Sequence, residues 1–269
     1  MKFWKMSGSG NDFVFVDARE DDLLGRRAAD PEFVRMICAQ HTGIGADGIA
    51  IIQHAAAQDF TLSYLNRDGS VGELCGNASL CATRLAVELG IADPAGLTFA
   101  TKAGVVRGRI RDGQPEVDLQ SPTGLRPDAG FSKLLGETRI GLVNTGVPHL
   151  VVRTEDANLV ELSVRGPELR YHESLSAGAN VNWVSRSTDG AWRMRTYERG
   201  VEAETLACGT GAVACAVLLA AWGEVGEIAR LQSRSGHILT VTLRKTPEEL
   251  LPSLAGEGRL VFEGVLNEG

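Results

Sequence analysis

Apolar residues along this chain of 269 residues come mainly in short runs and alternations separated by Gly, Pro, Asp and Asn. That is the period-two signature of strands more than the 3.6-residue period of long helices. In the first half, Phe13 to Val16, Ile49 to Ile52, Phe60 to Leu65, Leu97 to Thr101, Val105 to Ile110 and Val117 to Leu119 predict strands. In the second, Ile140 to Val143, Leu150 to Val152, Val181 to Val184, Met194 to Tyr197 and Ile238 to Leu243 do the same. Two longer stretches, Ala78 to Leu89 and Ala212 to Trp222, are free of turn residues and run into Gly90 and Gly223, which predicts helices stopped by glycine. The second is apolar all round and is expected to be sheathed by protein. Pro31-Glu32 and Pro167-Glu168 predict two more helices that open at the proline, where a missing N–H is tolerated and a carboxylate meets the helix dipole.

The same order therefore occurs twice. Shifted by about 133 residues, Asp30-Pro31-Glu32-Phe33 meets Gly166-Pro167-Glu168-Leu169, Gly45-Ala46-Asp47 meets Gly178-Ala179-Asn180, Asn66-Arg67 meets Glu198-Arg199, and Cys75-Gly76-Asn77 meets Cys208-Gly209-Thr210. Each match is short, but they are collinear, which predicts a duplicated chain joined near Ser121-Pro122-Thr123-Gly124. The expected fold is α+β, two homologous halves, each a curved and mainly antiparallel sheet or barrel around a central helix. The boundaries expected are 1–121 and 122–258.

Charge and composition narrow the function. The formal net charge is −7, and no stretch clusters Lys and Arg with aromatics, so no nucleic-acid partner is expected. No run approaches the ~18 apolar residues of a membrane-spanning helix, so no membrane partner is expected either. The opening Met1-Lys2-Phe3-Trp4-Lys5-Met6 leads into Gly and Asn with no leader-like apolar stretch, which gives a cytoplasmic expectation. Five cysteines, an odd number, argue against a disulfide framework. No Cys-x-x-Cys occurs and the five His are scattered, so no metal site is expected. Pyridoxal phosphate would need a lysine for its Schiff base, and none of Lys2, Lys5, Lys102, Lys133 and Lys245 stands beside a phosphate-binding glycine loop. No cofactor is expected; the partner is a small molecule.

The strongest chemical signal is that Cys75-Gly76 and Cys208-Gly209 immediately precede the two buried helices. The first N–H groups of a helix have no partner within it and carry a partial positive charge, which binds anions and favours a neighbouring thiolate. Two such starts related by an approximate twofold axis are expected to converge on one substrate carbon, with a thiolate on one face and a thiol on the other. Such a pair removes an α-proton from an amino acid and returns one to the opposite face, while the N–H groups stabilise charge on the carboxylate. Free cysteine is often only packing, and that is the reading for Cys38, Cys81 and Cys215, which lie inside apolar helical patterns. A disulfide between Cys75 and Cys208 would be an oxidised, inactive form.

At these residues the chain resembles diaminopimelate epimerase, in Gly10-Asn11-Asp12-Phe13, Gly43-Ile44-Gly45-Ala46-Asp47-Gly48, Asn66-Arg67-Asp68-Gly69-Ser70, Cys75-Gly76-Asn77, Gly146-Val147-Pro148-His149, Gly178-Ala179-Asn180-Val181-Asn182, Tyr197-Glu198-Arg199-Gly200 and Glu204-Thr205-Leu206-Ala207-Cys208-Gly209-Thr210-Gly211. Val261-Phe262-Glu263-Gly264 looks like the family's closing strand, which implies that a segment at about 259–269 joins the first half. The resemblance implies cofactor-free interconversion of LL- and meso-diaminopimelate in lysine and cell-wall precursor synthesis. It makes Cys75 and Cys208 the proton donor and acceptor, with His149 and Glu198 assisting. Gly76, Asn77, Gly209 and Thr210 would hold the reacting end; Asn11, Asn66, Asn180 and Arg199, with Glu198, would grip the rest of the substrate. It gives no fixed role to Asp12, Asp47 or Arg67, and a homodimer is one assembly it allows.

The chain departs from the family in four places. Ala78-Ser79-Leu80 replaces a common Gly-Ala-Arg or Gly-Gly-Arg; Val147 stands where an Asn is frequent; Gly48 replaces a Gln seen in some members; and the turn at Glu202-Ala203 is one residue longer. Three rivals share the fold. A proline or hydroxyproline epimerase also uses two cysteines, but usually shows Asp-Arg-x-Pro before the second, where this chain has Glu204-Thr205-Leu206-Ala207. A phenazine-type isomerase lacks the cysteine pair, and a non-catalytic binding or thiol redox protein needs only one reactive cysteine.

Overall fold

In the computed structural model the described residues are 1–72, 75–187 and 190–267. They divide into two compact units, Met1–Asp118 with Ala255–Gly269, and Leu119–Leu254. The strands of the first stretch are β1 (Lys2–Gly8), β2 (Asn11–Asp17), β3 (Gly48–Gln53), β4 (Phe60–Asn66), β5 (Val71–Gly72), β6 (Leu97–Thr101), β7 (Gly104–Arg111) and β8 (Gln114–Asp118). Those of the second are β9 (Thr123–Arg126), β10 (Glu137–Asn144), β11 (Pro148–Thr154), β12 (Asn180–Arg186), β13 (Trp192–Glu198), β14 (Ala203–Thr205), β15 (Ile228–Gln232), β16 (Ile238–Lys245) and β17 (Leu250–Ala255), followed by β18 (Arg259–Val265), which returns to the first unit. The helices are α1 (Asp22–Ala28), α2 (Pro31–Cys38), α3 (Gly76–Glu88), α4 (Leu162–Arg170) and α5 (Gly209–Ala221).

In the first unit β18 pairs antiparallel with β1, β1 with β2, β3 with β4, β6 with β7 and β7 with β8, while β2 runs parallel to β3 and β4 to β6. The second repeats this pattern: β9, β10 and β11 are antiparallel, β11 is parallel to β12, β12 antiparallel to β13, β13 parallel to β15, and β15 antiparallel to β16. Both sheets curve around one helix without closing into barrels. Helix α3 touches β1, β3, β7, β8 and β18, and α5 touches β10, β11, β12, β15 and β16. The architecture is thus the α+β, mostly-sheet fold the pattern predicts.

Side-chain alternation assigns two faces to each sheet. In the first unit Val14, Val16, Ile49, Ile51 and Leu65 form an outer core with Ala28 of α1 and Phe33, Val34, Ile37 and Cys38 of α2. The opposite face, with Phe13, Phe15, Ala50, Ile52 and Tyr64, is turned toward α3. In the second unit Leu150, Val152, Val181, Trp183 and Tyr197 pack outward on Leu162 and Leu169 of α4, and His149, Asn180, Asn182 and Thr196 are turned inward. Covered on both faces, β3 is almost continuously apolar and buried, as a parallel-paired strand between helices should be.

Both central helices end in the same motif. Gly90 and Gly223 adopt φ of 67° and 75°, Gly90 N–H and Ile91 N–H donate to Val87 O and Ala86 O, and Gly223 and Glu224 repeat these bonds to Ala220 O and Leu219 O. One helix start differs from expectation. Helix α2 begins at Pro31 with Asp30 capping it, whereas α4 begins at Leu162, with Pro167 inside. The turn before Pro167 is held by Val164 and Arg165 N–H groups donating to Glu161 O, so the proline's missing donor falls in a helix already started. No helix among the described residues is long and apolar enough to cross a membrane.

Candidate active site

In the first unit Cys75 is the N-cap of α3, with φ −123° and ψ 114°. The first helical bond runs from Ser79 N–H to Cys75 O, at 2.9 Å, which leaves the N–H groups of Gly76, Asn77 and Ala78 outside the helix's own ladder. Asn77 is 1% exposed. Its Nδ2 donates to Asn11 Oδ1 at 2.7 Å, and Asn11 Nδ2 donates to Asp47 Oδ2 at 2.9 Å. Asp47 and Asp12 cross-bond through their backbones, and Lys5 donates to Asp12 and to Gly45 O. Both amides are thereby oriented, and Asn77 Oδ1 is left buried with no hydrogen-bond partner, an acceptor whose isolation costs about 1–3 kcal/mol. Asn66, at the end of β4, donates to Ser70 Oγ across the turn that leads toward Cys75.

In the second unit Cys208 is the N-cap of α5, with φ −137° and ψ 109°. Ala212 N–H donates to Cys208 O at 2.9 Å, leaving the N–H groups of Gly209, Thr210 and Gly211 outside the ladder. From the sulfur a chain of contacts runs into the sheet. Cys208 Sγ lies 3.6 Å from Thr210 Oγ1, Thr210 Oγ1 lies 3.1 Å from His149 Nε2, and His149 Nδ1 lies 3.1 Å from Asn182 Nδ2. Asn182 Nδ2 also donates to Leu150 O at 3.0 Å, and Asn182 Oδ1 accepts from Thr196 Oγ1 at 2.9 Å. Asn180 Oδ1 accepts from Arg199 N–H at 2.7 Å. His149 is completely buried; burial first and the Arg199 charge second push it down to about 3, so it is neutral at physiological pH. Glu198 ends β13 beside Arg199.

The other three thiols lie within helices. Burial pushes Cys38 up to about 11 and raises Cys81 and Cys215 well above the ordinary thiol value. Among the described residues no group of three His, Cys, Asp or Glu side chains could hold a metal ion.

A family model described as diaminopimelate epimerase matches residues 3–124 and 141–251. A diaminopimelate epimerase of Gemmatimonas aurantiaca is 46% identical over 98% of this chain and 98% of its own length. The chain belongs to the diaminopimelate epimerase family. A second relative of that name, from Aquifex aeolicus, is 42% identical over 100% of this chain and 98% of its own. A phenazine biosynthesis protein of Bacillus anthracis superposes with a TM-score of 0.75 at 16% identity, covering 99% of both chains. A hydroxyproline epimerase of Agrobacterium vitis, with bound trans-4-hydroxy-L-proline, does so with 0.70 at 20%, covering 98% of this chain and 91% of its own. At those identities the likeness is one of fold.

Two of the four departures from the diaminopimelate epimerase motifs have a clear local setting. Ala78, Ser79 and Leu80 are all buried in the core around α3. The extra residue in the second turn is absorbed at Glu202, whose φ is 56° and whose N–H returns to Glu198 O. Within the first unit the structure brings Asn11 and Asn77 together; within the second it joins Cys208, Thr210, His149, Asn180 and Arg199. Asp47, Asn182 and Thr196 are partners that motif reading left without a role. A signal existed in the alternation of β12, where Asn180 and Asn182 share one face, but alternate polar residues ordinarily face water.

Proposed function

We propose that this chain interconverts LL- and meso-diaminopimelate without a cofactor, Cys75 and Cys208 acting as the acid–base pair. The observation that carries the reading is the repeated helix start: each central helix has a cysteine at its N-cap and three N–H groups beyond its own ladder. One thiolate takes the α-proton and becomes a thiol. The electron pair left on carbon is delocalised into the carboxylate, where helix-start N–H groups stabilise it. The other thiol delivers its proton to the opposite face and becomes the thiolate, so the configuration inverts and the pair's roles exchange; the reverse reaction uses the same two groups.

Asn77 Oδ1, buried and unpaired, suits an ammonium donor at the reacting carbon, with Gly76, Gly209 and Thr210 alongside. Asn11, Asn66, Asn180, Glu198 and Arg199 supply amide, carboxylate and guanidinium groups for the distal ammonium and carboxylate. Neutral His149, through Thr210, supports the sulfur of Cys208. The same reading places the protein in the cytoplasm, in lysine and peptidoglycan precursor synthesis, and takes a homodimer as the assembly to examine by light scattering.

The test is incubation of the reduced protein with LL-diaminopimelate in deuterium oxide, following α-deuterium and meso product together. Incorporation with inversion is expected. Exchange with proline derivatives in place of diaminopimelate would transfer the chain to the cyclic-substrate reaction, and inertness toward both would leave a binding or redox protein.

A further inference from the structure

The inward polar chain of the second unit permits one direction of hydrogen bonding. We infer that Asn182 is a positioning residue that fixes His149 as its Nε2–H tautomer and so turns the Thr210 hydroxyl proton toward the sulfur of Cys208. The inference rests on the reading of Cys208 as one of the acid–base pair.

The argument begins at Leu150. Its carbonyl oxygen can only accept, so the edge of Asn182 that meets it at 3.0 Å is the NH2 group. That NH2 group is also 3.1 Å from His149 Nδ1, and Thr196 Oγ1 holds the opposite edge by donating to Asn182 Oδ1. An NH2 group has no lone pair to offer, so Nδ1 must be the acceptor. A neutral imidazole whose Nδ1 accepts carries its proton on Nε2. Nε2–H then donates to Thr210 Oγ1 at 3.1 Å, and the hydroxyl's own proton is left for Cys208 Sγ at 3.6 Å. Asn180 Nδ2, at 3.5 Å from Nε2, is too far to compete, and its Oδ1 is committed to Arg199 N–H.

An imidazolium would aim Nδ1–H at the Asn182 NH2, which agrees with the depressed basicity of His149. The positive charge of Arg199 adds to burial in disfavouring the imidazolium. The inner links are buried, His149 and Asn182 at 0% and Thr196 at 2% exposure, and Thr210 is half-buried at the mouth of the chain. Gly211 makes the approach possible, because a Cβ there would lie 2.5 Å from Asn182 Oδ1. Thr145 Oγ1 donates to Thr210 O at 3.0 Å and holds the helix start in register.

The test reads thiol ionisation, which needs no substrate. In full-length Cys75→Ser protein, the rate of Cys208 alkylation by iodoacetamide is followed against pH, with the adduct located by mass spectrometry. Asn182→Leu, uncharged and of similar size, is expected to raise the apparent pKa of Cys208 by about one unit, the effect of losing one hydrogen bond to a charged sulfur. Thr210→Val should reproduce the shift. Cys75, measured in Cys208→Ser protein, should keep its profile when Asn182→Leu is added. Nitrogen NMR of the imidazole should find His149 protonated at Nε2 in the wild type and in a mixture of tautomers in Asn182→Leu.

If Asn182→Leu does not fold, Thr196→Val, which frees the Asn182 amide to turn, takes its place and is expected to shift Cys208 in the same direction. An unchanged Cys208 profile overturns the inference, as does an equal shift at both cysteines, the mark of a merely structural role. With diaminopimelate, kcat should fall while KM stays. Absence of turnover in the wild type would defeat the functional reading and leave the ionisation result standing.

Discussion

The two units put the same cysteine on the same kind of helix start but surround it differently. The strand registers align the inner faces: Phe13 pairs with Gly48 where His149 pairs with Asn180, and Ala50 with Tyr64 where Asn182 pairs with Thr196. In the first unit that surface is aromatic, Phe13 and Tyr64 meeting edge to face at 5.9 Å. In the second it is a hydrogen-bonded chain from Thr196 to Cys208. Position three of each helix follows suit, Ala78 in α3 and Gly211 in α5. Duplication therefore supplied two thiols on matching helix starts, and divergence of a few inward side chains made the sheet faces of the two units unequal.

The strongest way to break the comparison is to remove either sulfur. Cys75→Ala and Cys208→Ala should each lower epimerisation on the order of a thousandfold with unchanged circular dichroism; retained turnover in either would end the two-base scheme. Acid stability separates the units next. His149 is neutral when folded, its pKa lowered to about 3 from an ordinary 6.5. It costs no stability above pH 6.5, but as pH falls toward 3 the unfolded chain binds a proton that the folded one refuses. Stability should therefore drop by about 1.4 kcal/mol per pH unit through this window. His149→Phe, which copies Phe13, should flatten that slope in urea titrations at pH 6.5 and pH 4, and an unaltered slope would contradict it.

Gly211→Ala should cost about 1–3 kcal/mol by overpacking against Asn182 and Cys208, read as a lower Tm accompanied by lost activity. The reciprocal Ala78→Gly opens space at a buried position instead of filling it. It should cost about 1–2 kcal/mol through helix propensity and the loss of a buried methyl and leave Cys75 reactivity as it was.

Much of this was legible from local pattern. Short alternating runs marked most strands, and glycines after two apolar stretches marked the ends of α3 and α5. What escaped was set by tertiary context. Strand β1 hides because Lys2 and Lys5 interrupt it, and Lys5 is 7% exposed only because Asp12 and Gly45 O receive its ammonium. Strand β9 is exposed throughout and too short to show alternation. The start of α4 escaped because the turn before Pro167 lacks a capping side-chain bond. At the site, the cysteines and their helix starts were visible as a repeated motif. Asn182 was not, since nothing in an alternation of polar and apolar residues says which face a helix will cover.

The return of β18 to β1 has a consequence for biosynthesis. Residues leave the ribosome in order, so Leu119–Leu254 is complete as a contiguous stretch before Arg259–Val265 is made. The earlier-made sheet must wait with the flank of β1 uncovered, an exposed edge open to wrong pairing. Contrary to the usual N-terminal-first order, the younger unit can mature ahead of the older, and the last strand acts as the latch that finishes it.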